Sequence, residues 1–167
     1  MNTRPWLIGF ILLLVGVSFA SAQVVLPDRA RDRPLNENVF GLGLFGGPTS
    51  GIGLSFRHHL PSPMSYGITG GIIKVEERLS YSVGVEVQLD LVRGPTSRFF
   101  VCSGASYFYS GSSSHNDMDG PGRVGLGIGG EFATQPGLHV TTELMFTYFT
   151  DGTVLPLPQV GVYYYFY

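Results

Sequence analysis

From Val39 onward, apolar residues recur at every second position in run after run. The clearest run covers 79–91. One of its faces carries Leu79, Tyr81, Val83, Val85, Val87, Leu89 and Leu91, and the other carries Ser80, Ser82, Gly84, Glu86, Gln88 and Asp90. A period of two belongs to β-strands, whose successive side chains point to opposite faces. Eight such runs follow one another, at 39–46, 51–57, 65–73, 79–91, 98–109, 123–132, 138–149 and 159–166. Gly, Pro, Ser or Asp bounds each run, as turns require. None shows the 3.6-residue stripe of a helix. The run 98–109 is apolar on both faces, and placing Arg98 inside sets its facing.

The second face of these runs decides the class of fold. It is mostly Gly, Ser and Thr, for example Gly41, Gly43, Ser55, Gly67, Thr69, Gly125, Gly127 and Thr141. A soluble sheet protein turns its polar face to water, and this one would hydrate poorly. The same small residues suit a narrow lumen, with the apolar set turned to lipid. Strands of ~9–11 residues cross a bilayer, and most of these runs have about that length. Only a closed barrel satisfies every strand backbone group in hydrocarbon. The expectation is therefore an all-β fold, an eight-stranded antiparallel up-and-down transmembrane β-barrel over 39–167.

Composition agrees with this and excludes other classes. Only 13% of residues are charged, about half the ~25% of soluble domains. Ten Lys and Arg against twelve Asp and Glu leave no positive field for nucleic acid. The single Cys102 has no disulfide partner and cannot build a cysteine-type zinc cluster. It is expected to be a reduced, packed side chain.

The N-terminus has the three parts of an export signal. Arg4 precedes the apolar stretch 6–19, and Ala20-Ser21-Ala22 supplies the small residues for cleavage before Gln23. The stretch is shorter than the ~20 residues of a spanning helix, and no Cys follows it to carry a lipid anchor. The domains expected are a signal peptide at 1–22, a flexible periplasmic tail at 23–38, and the barrel. Losing 22 of 167 residues leaves 145 and takes Arg4 away, moving the net charge from −2 to −3. Arg29, Arg31 and Arg33 in the tail are diluted by Asp28 and Asp32.

Aromatic positions supply a second test. If the first strand starts at the periplasmic end, Phe40, Phe56, Tyr66, Phe99, Phe132 and Phe166 gather at that end. Tyr81, Tyr107, Tyr109 and Tyr148 gather at the outer end, with aliphatic residues between. Two aromatic girdles flanking an aliphatic band are the mark of a membrane barrel.

The same facing puts Arg57, Glu86, Asp90, Arg98, Arg123, Glu131, His139 and Glu143 in the lumen. Charges in a narrow, poorly hydrated bore must pair. An ion-pair network of Arg57, Glu86, Asp90, Arg98, Arg123, Glu131 and Glu143 is therefore expected to plug the barrel. Asp90 and Arg98, joined by one turn, are expected partners. His139, Thr141 and Glu143 also form a histidine–hydroxyl–carboxylate set that could serve nucleophilic catalysis. His58 and His59 are expected in the turn before Pro61. His115, Asn116, Asp117 and Asp119 are expected in an exposed polar loop at 110–122, with a hydrated cation site as the alternative.

The alternating pattern over 39–167, ending in Gln159-Val-Gly-Val-Tyr-Tyr-Tyr-Phe-Tyr167, resembles the small eight-stranded bacterial outer-membrane barrels of the OmpX and OmpA-transmembrane type. The resemblance implies location in the cell outer membrane, outer-membrane lipid as surroundings, and insertion by the barrel-assembly machinery, which reads an aromatic last strand. No cell-wall-binding domain is expected after the barrel. The family fold carries no single activity. The leading expectation is a non-enzymatic barrel with a structural, adhesive or complex-forming role, possessing envelope protein partners, no nucleic acid partner, no cofactor and no metal. Two alternatives stay open: an outer-membrane lipid-modifying enzyme similar to lipid A deacylases, and a soluble exported barrel that binds an apolar ligand.

Overall fold

A computed structural model describes residues 38–112 and 115–166. The expected signal peptide, residues 23–37 of the expected tail, and Tyr167 lie outside the described residues. Eight strands follow in order: β1 (Val39–Gly47), β2 (Gly51–His59), β3 (Met64–Val75), β4 (Arg78–Arg93), β5 (Ser97–Ser112), β6 (Gly122–Gln135), β7 (Leu138–Phe149) and β8 (Val154–Phe166). Each pairs antiparallel with the next, and β8 returns to β1, closing the barrel. Among the described residues there is no helix.

The wall is inverted relative to a soluble protein. Leu54 is 74% exposed, Ile72 72% and Leu126 68%, whereas Arg57 and Glu131 are 2% and 0% exposed. The apolar face of every run points outward, and the Gly, Ser, Thr and charged face points in. In β5 the interior face holds Arg98, Phe100, Cys102 and Phe108, all buried.

We call the end where β1 starts and β8 finishes the near end, and the opposite end the far end. Phe40 packs on Phe56 at 5.7 Å between ring centres and pairs in register with Phe166, and Phe99 meets Phe132 edge-on at 5.9 Å. These rings and Tyr66 lie at the near end. Tyr81 stacks on Tyr109 at 5.1 Å and lies 6.5 Å from Tyr107, at the far end with Tyr148.

Three features differ from the sequence expectation. First, β2 continues to His59, so the two histidines sit in the strand and not in the turn. Alternation sends them to opposite faces. His58 stacks on Phe40 outside the wall at 4.1 Å and reaches the Tyr66 hydroxyl at 3.0 Å. His59 points into the lumen.

Second, β8 begins five residues before 159 and contains Pro156 and Pro158. Proline has no N–H for a ladder and belongs at sheet edges. In an antiparallel strand, alternate residues turn their backbone groups to alternate neighbours. The odd-numbered Tyr165 donates its N–H to Gly137 O beside β7 at 2.8 Å. The even-numbered positions therefore face β1. Pairing between β8 and β1 runs from Val160 to Phe166 only, so Pro156 and Pro158 face a side where β1 has already ended.

Third, the tip of the β1–β2 hairpin folds into the lumen. Pairing of β2 with β3 stops at Leu54, although β2 stays paired with β1 up to Gly51. Gly51 and Gly53 have φ of 100° and 138°, a backbone that side-chain-bearing residues rarely adopt. This bend carries Thr49 and Ser50 inward, where they are 0% and 1% exposed. The edge of β3 beyond Gly70 is consequently left unpaired by β2.

The parity of the prolines gives a direct expectation. Leu157→Pro removes an N–H on the β7 side and leaves its carbonyl partner unsatisfied, a cost of about 1–3 kcal/mol. Pro158→Ala has no ladder bond to break and should change stability little. Urea midpoints of the two variants, measured in the same detergent, check the difference.

Candidate functional site

The interior of the near half is a connected set of charges and aromatic rings. It is built from strands far apart in sequence, because alternation delivers one inward side chain from each strand per layer. Arg57 on β2 lies 3.2 Å from Glu86 on β4, 3.4 Å from Glu131 on β6 and 3.5 Å from Glu143 on β7. Arg98 on β5 lies 2.6 Å from Asp90 and 2.7 Å from Glu131. Arg93 also pairs with Asp90. Six of the seven residues assigned from sequence to one network are thus brought together.

The seventh, Arg123, is not part of it. Among the described residues no carboxylate lies within ion-pair distance of its guanidinium. Arg123 donates from Nη1 to Pro48 O at 2.9 Å, and its guanidinium carbon lies 3.9 Å from the centre of the Phe108 ring and 4.9 Å from that of Phe149. It holds the inserted hairpin from above. Sequence spacing could place Arg123 in the lumen, but it gave no sign that a backbone carbonyl would fold in to meet it.

Neutral side chains complete the polar contacts. The Gln88 amide donates to Glu86 at 2.6 Å and to Glu143 at 3.2 Å, and its oxygen accepts from Arg98 at 2.5 Å. Gln159 accepts from the backbone N–H groups of Thr49 and Ser50 at 2.9 and 3.1 Å, and donates to Glu143 at 3.0 Å. The inserted tip is thereby tied to the charge network. Gly125 leaves room for it: a Cβ there would come within 2.7 Å of the Thr49 methyl.

Two tyrosines of β8 fill the bore beneath. Tyr163 and Tyr165 are each 1% exposed. They lie against Gly43 and Gly41, their register partners on β1, where a Cβ at Gly41 would meet the Tyr165 ring at 2.5 Å. The Arg57 guanidinium sits over Tyr163, 4.2 Å from the ring centre, an attraction between cation and ring face. His59 joins the Tyr165 hydroxyl and Ser65 Oγ, both at 2.7 Å. Neither tyrosine was singled out from sequence. The available signal was the alternation of β8, which turns 163 and 165 inward, together with glycines opposite them.

The histidine–hydroxyl–carboxylate set of β7 does not assemble as a nucleophile and its base. The Thr141 hydroxyl accepts from Arg57 at 3.0 Å and donates to Glu131 at 3.3 Å. His139 Nδ1 lies 3.0 Å from Glu131, and its ring packs edge-on against Tyr165 at 4.8 Å. Both groups serve Glu131. In the far loop, Asn116 accepts from Ser110 N–H at 3.1 Å and Met118 N–H at 3.2 Å, an Asx-turn arrangement. Among the described residues no group of three or more metal-ligating side chains could hold an ion. Cys102 packs with Phe100 and Met145.

The arrangement can obstruct and brace the bore. Removing one partner of a buried ion pair typically costs about 3–5 kcal/mol. Arg98→Met, which leaves Asp90 with Arg93 alone and Glu131 with Arg57 and His139, should lower unfolding stability by at most that amount. The far-end pair Arg78–Asp117 spans 3.4 Å, with the Arg78 side chain 66% exposed. Arg78→Met should cost less than about 1 kcal/mol. Equal losses in urea unfolding would contradict this ranking.

Comparison with protein-family models, with curated proteins and with solved structures finds no match to this chain.

Proposed function

We propose that the chain is an integral outer-membrane β-barrel, non-enzymatic, with a structural, adhesive or complex-forming role and a plugged lumen. The observation that carries this reading is the inverted wall: aliphatic side chains outside, buried charges inside, and aromatic rings gathered at both ends of the aliphatic band. The cost of leaving such a surface in water favours a hydrocarbon setting, since contiguous apolar patches of this extent are foreign to soluble monomers. The expected export signal supports delivery to the envelope, and the aromatic last strand supports insertion by the barrel-assembly machinery. The engagement of Thr141 with Arg57 and Glu131 supports a structural role for the β7 residues over lipid A deacylation. The soluble alternative called for an apolar interior, which is the opposite of the observed facing.

The test is fractionation and facing together. The protein should stay with the outer membrane and leave it only in detergent; recovery from the soluble periplasm without aggregation would contradict the reading. Val85 is 51% exposed and Glu86 4%. Val85→Arg, at a mid-strand lipid-facing position, should cost about 2–4 kcal/mol of folding free energy in a bilayer. In a Cys102→Ser background, Val85→Cys should react with a lipid-soluble maleimide and resist a charged one. Glu86→Cys should not show that pattern.

A further inference from the structure

Where β2 bends inward and leaves the edge of β3 beyond Gly70 unpaired, a cavity of about 660 Å³ opens at the far end. It is lined by both surfaces of the barrel. Ile72 and Tyr81 are register partners on the outer face, whereas their neighbours Ile73 and Ser80 pair on the inner face. All four line the cavity, with Leu54 on the outer face, the buried Phe108 on the inner face, and Met118 contributed by the β5–β6 loop. The cavity therefore passes through the wall.

We propose that this notch admits one hydrocarbon chain of an outer-leaflet lipid into the upper lumen, an inference that rests on the membrane-spanning reading above. Several observations favour that occupant. The outer lip is continuous with the apolar surface that faces lipid, so hydrocarbon is the medium that reaches it. No charged side chain lines the cavity. Its size falls within the ~300–1,000 Å³ of ligand pockets. The stacked Tyr81 and Tyr109 set the opening at the level of the far aromatic girdle, where headgroup meets chain. The floor is closed. Ser82 Oγ donates to Ile52 O at 2.7 Å and accepts from Ile52 N–H at 3.0 Å, pinning the inserted hairpin across the bore. A chain that enters is held there and goes no further.

The test uses the full-length protein, extracted from membranes and reconstituted in phosphatidylethanolamine–phosphatidylglycerol nanodiscs. The discs contain a trace of phospholipid bearing a diazirine near the end of one acyl chain. After irradiation, adducts are mapped by mass spectrometry. Adducts on Phe108, which faces inward and is 7% exposed, and on the cavity-lining Ile73 and Met118, at yields comparable to the lipid-facing Leu126 and Ile128, are expected. Met118→Trp, which fills the cavity from the loop side, should reduce the cavity adducts at Ile73 and Phe108 several-fold and leave Leu126 and Ile128 unchanged. Labelling confined to the outer face of the inserted wild-type protein overturns the proposal alone. Undiminished labelling of Ile73 and Phe108 in folded Met118→Trp also overturns it. Failure of the protein to enter the disc overturns the membrane-spanning reading, and this proposal with it.

Discussion

Glu131 lies between two guanidinium groups with no exposure to solvent, and the interior of the barrel is organised around that arrangement. Burying one carboxylate without partners would be prohibitive. Here Arg57, Arg98, Thr141 and His139 surround it, drawn from β2, β5 and β7. Those strands lie on different sides of the ring, so the ion pairs brace the bore as cross-struts. Glu86, Glu143 and Asp90 extend the bracing to β4 and to the rest of β7. The outer face is apolar. The charges within decide which side chains stand at which height.

The glycines on the inner face follow from the same crowding. Eight strands leave a bore that side chains can fill, and Arg57, Tyr163, Tyr165, Arg98 and Phe100 are large. Several of the inward-facing groups lie against a residue with no side chain. Gly41 and Gly43 make room for the tyrosines, Gly129 for Phe100 and Glu143, and Gly125 for Thr49. The small-residue face that suggested a lumen in the sequence is the bed on which the plug rests.

Strand number, strand order and the facing of each strand were legible in the sequence because alternation reports them residue by residue. In β5, where both faces are apolar, the single charge Arg98 settled the facing. Pairing of Asp90 with Arg98 was legible because one turn separates them. The start of β8 was not, because two prolines argue against a strand unless one knows which neighbour each residue faces. The inward hairpin tip was not legible either. Thr49 and Ser50 read as ordinary turn residues, and their burial depends on Gln159, more than a hundred positions away. The place of Arg123 is hidden for the same reason, since its partner is the carbonyl of Pro48. His58 and His59 were drawn into a turn by the nearby Pro61, although the ladder to β3 holds both.

Seven of the eight strand neighbours are consecutive hairpins, and one is not. The seam between β1 and β8 joins residues 40–46 to 160–166, the longest separation in the ring. Local hairpins close quickly, whereas contacts between distant parts of a chain must first meet the entropy of a long loop. The seam is also where Tyr163 and Tyr165 settle on Gly43 and Gly41. Closure and filling of the bore are therefore one late kinetic event. Until the last strand arrives, β1 is a free edge, and a variant that slows the seam would prolong its exposure to other chains without altering any contact of the finished barrel.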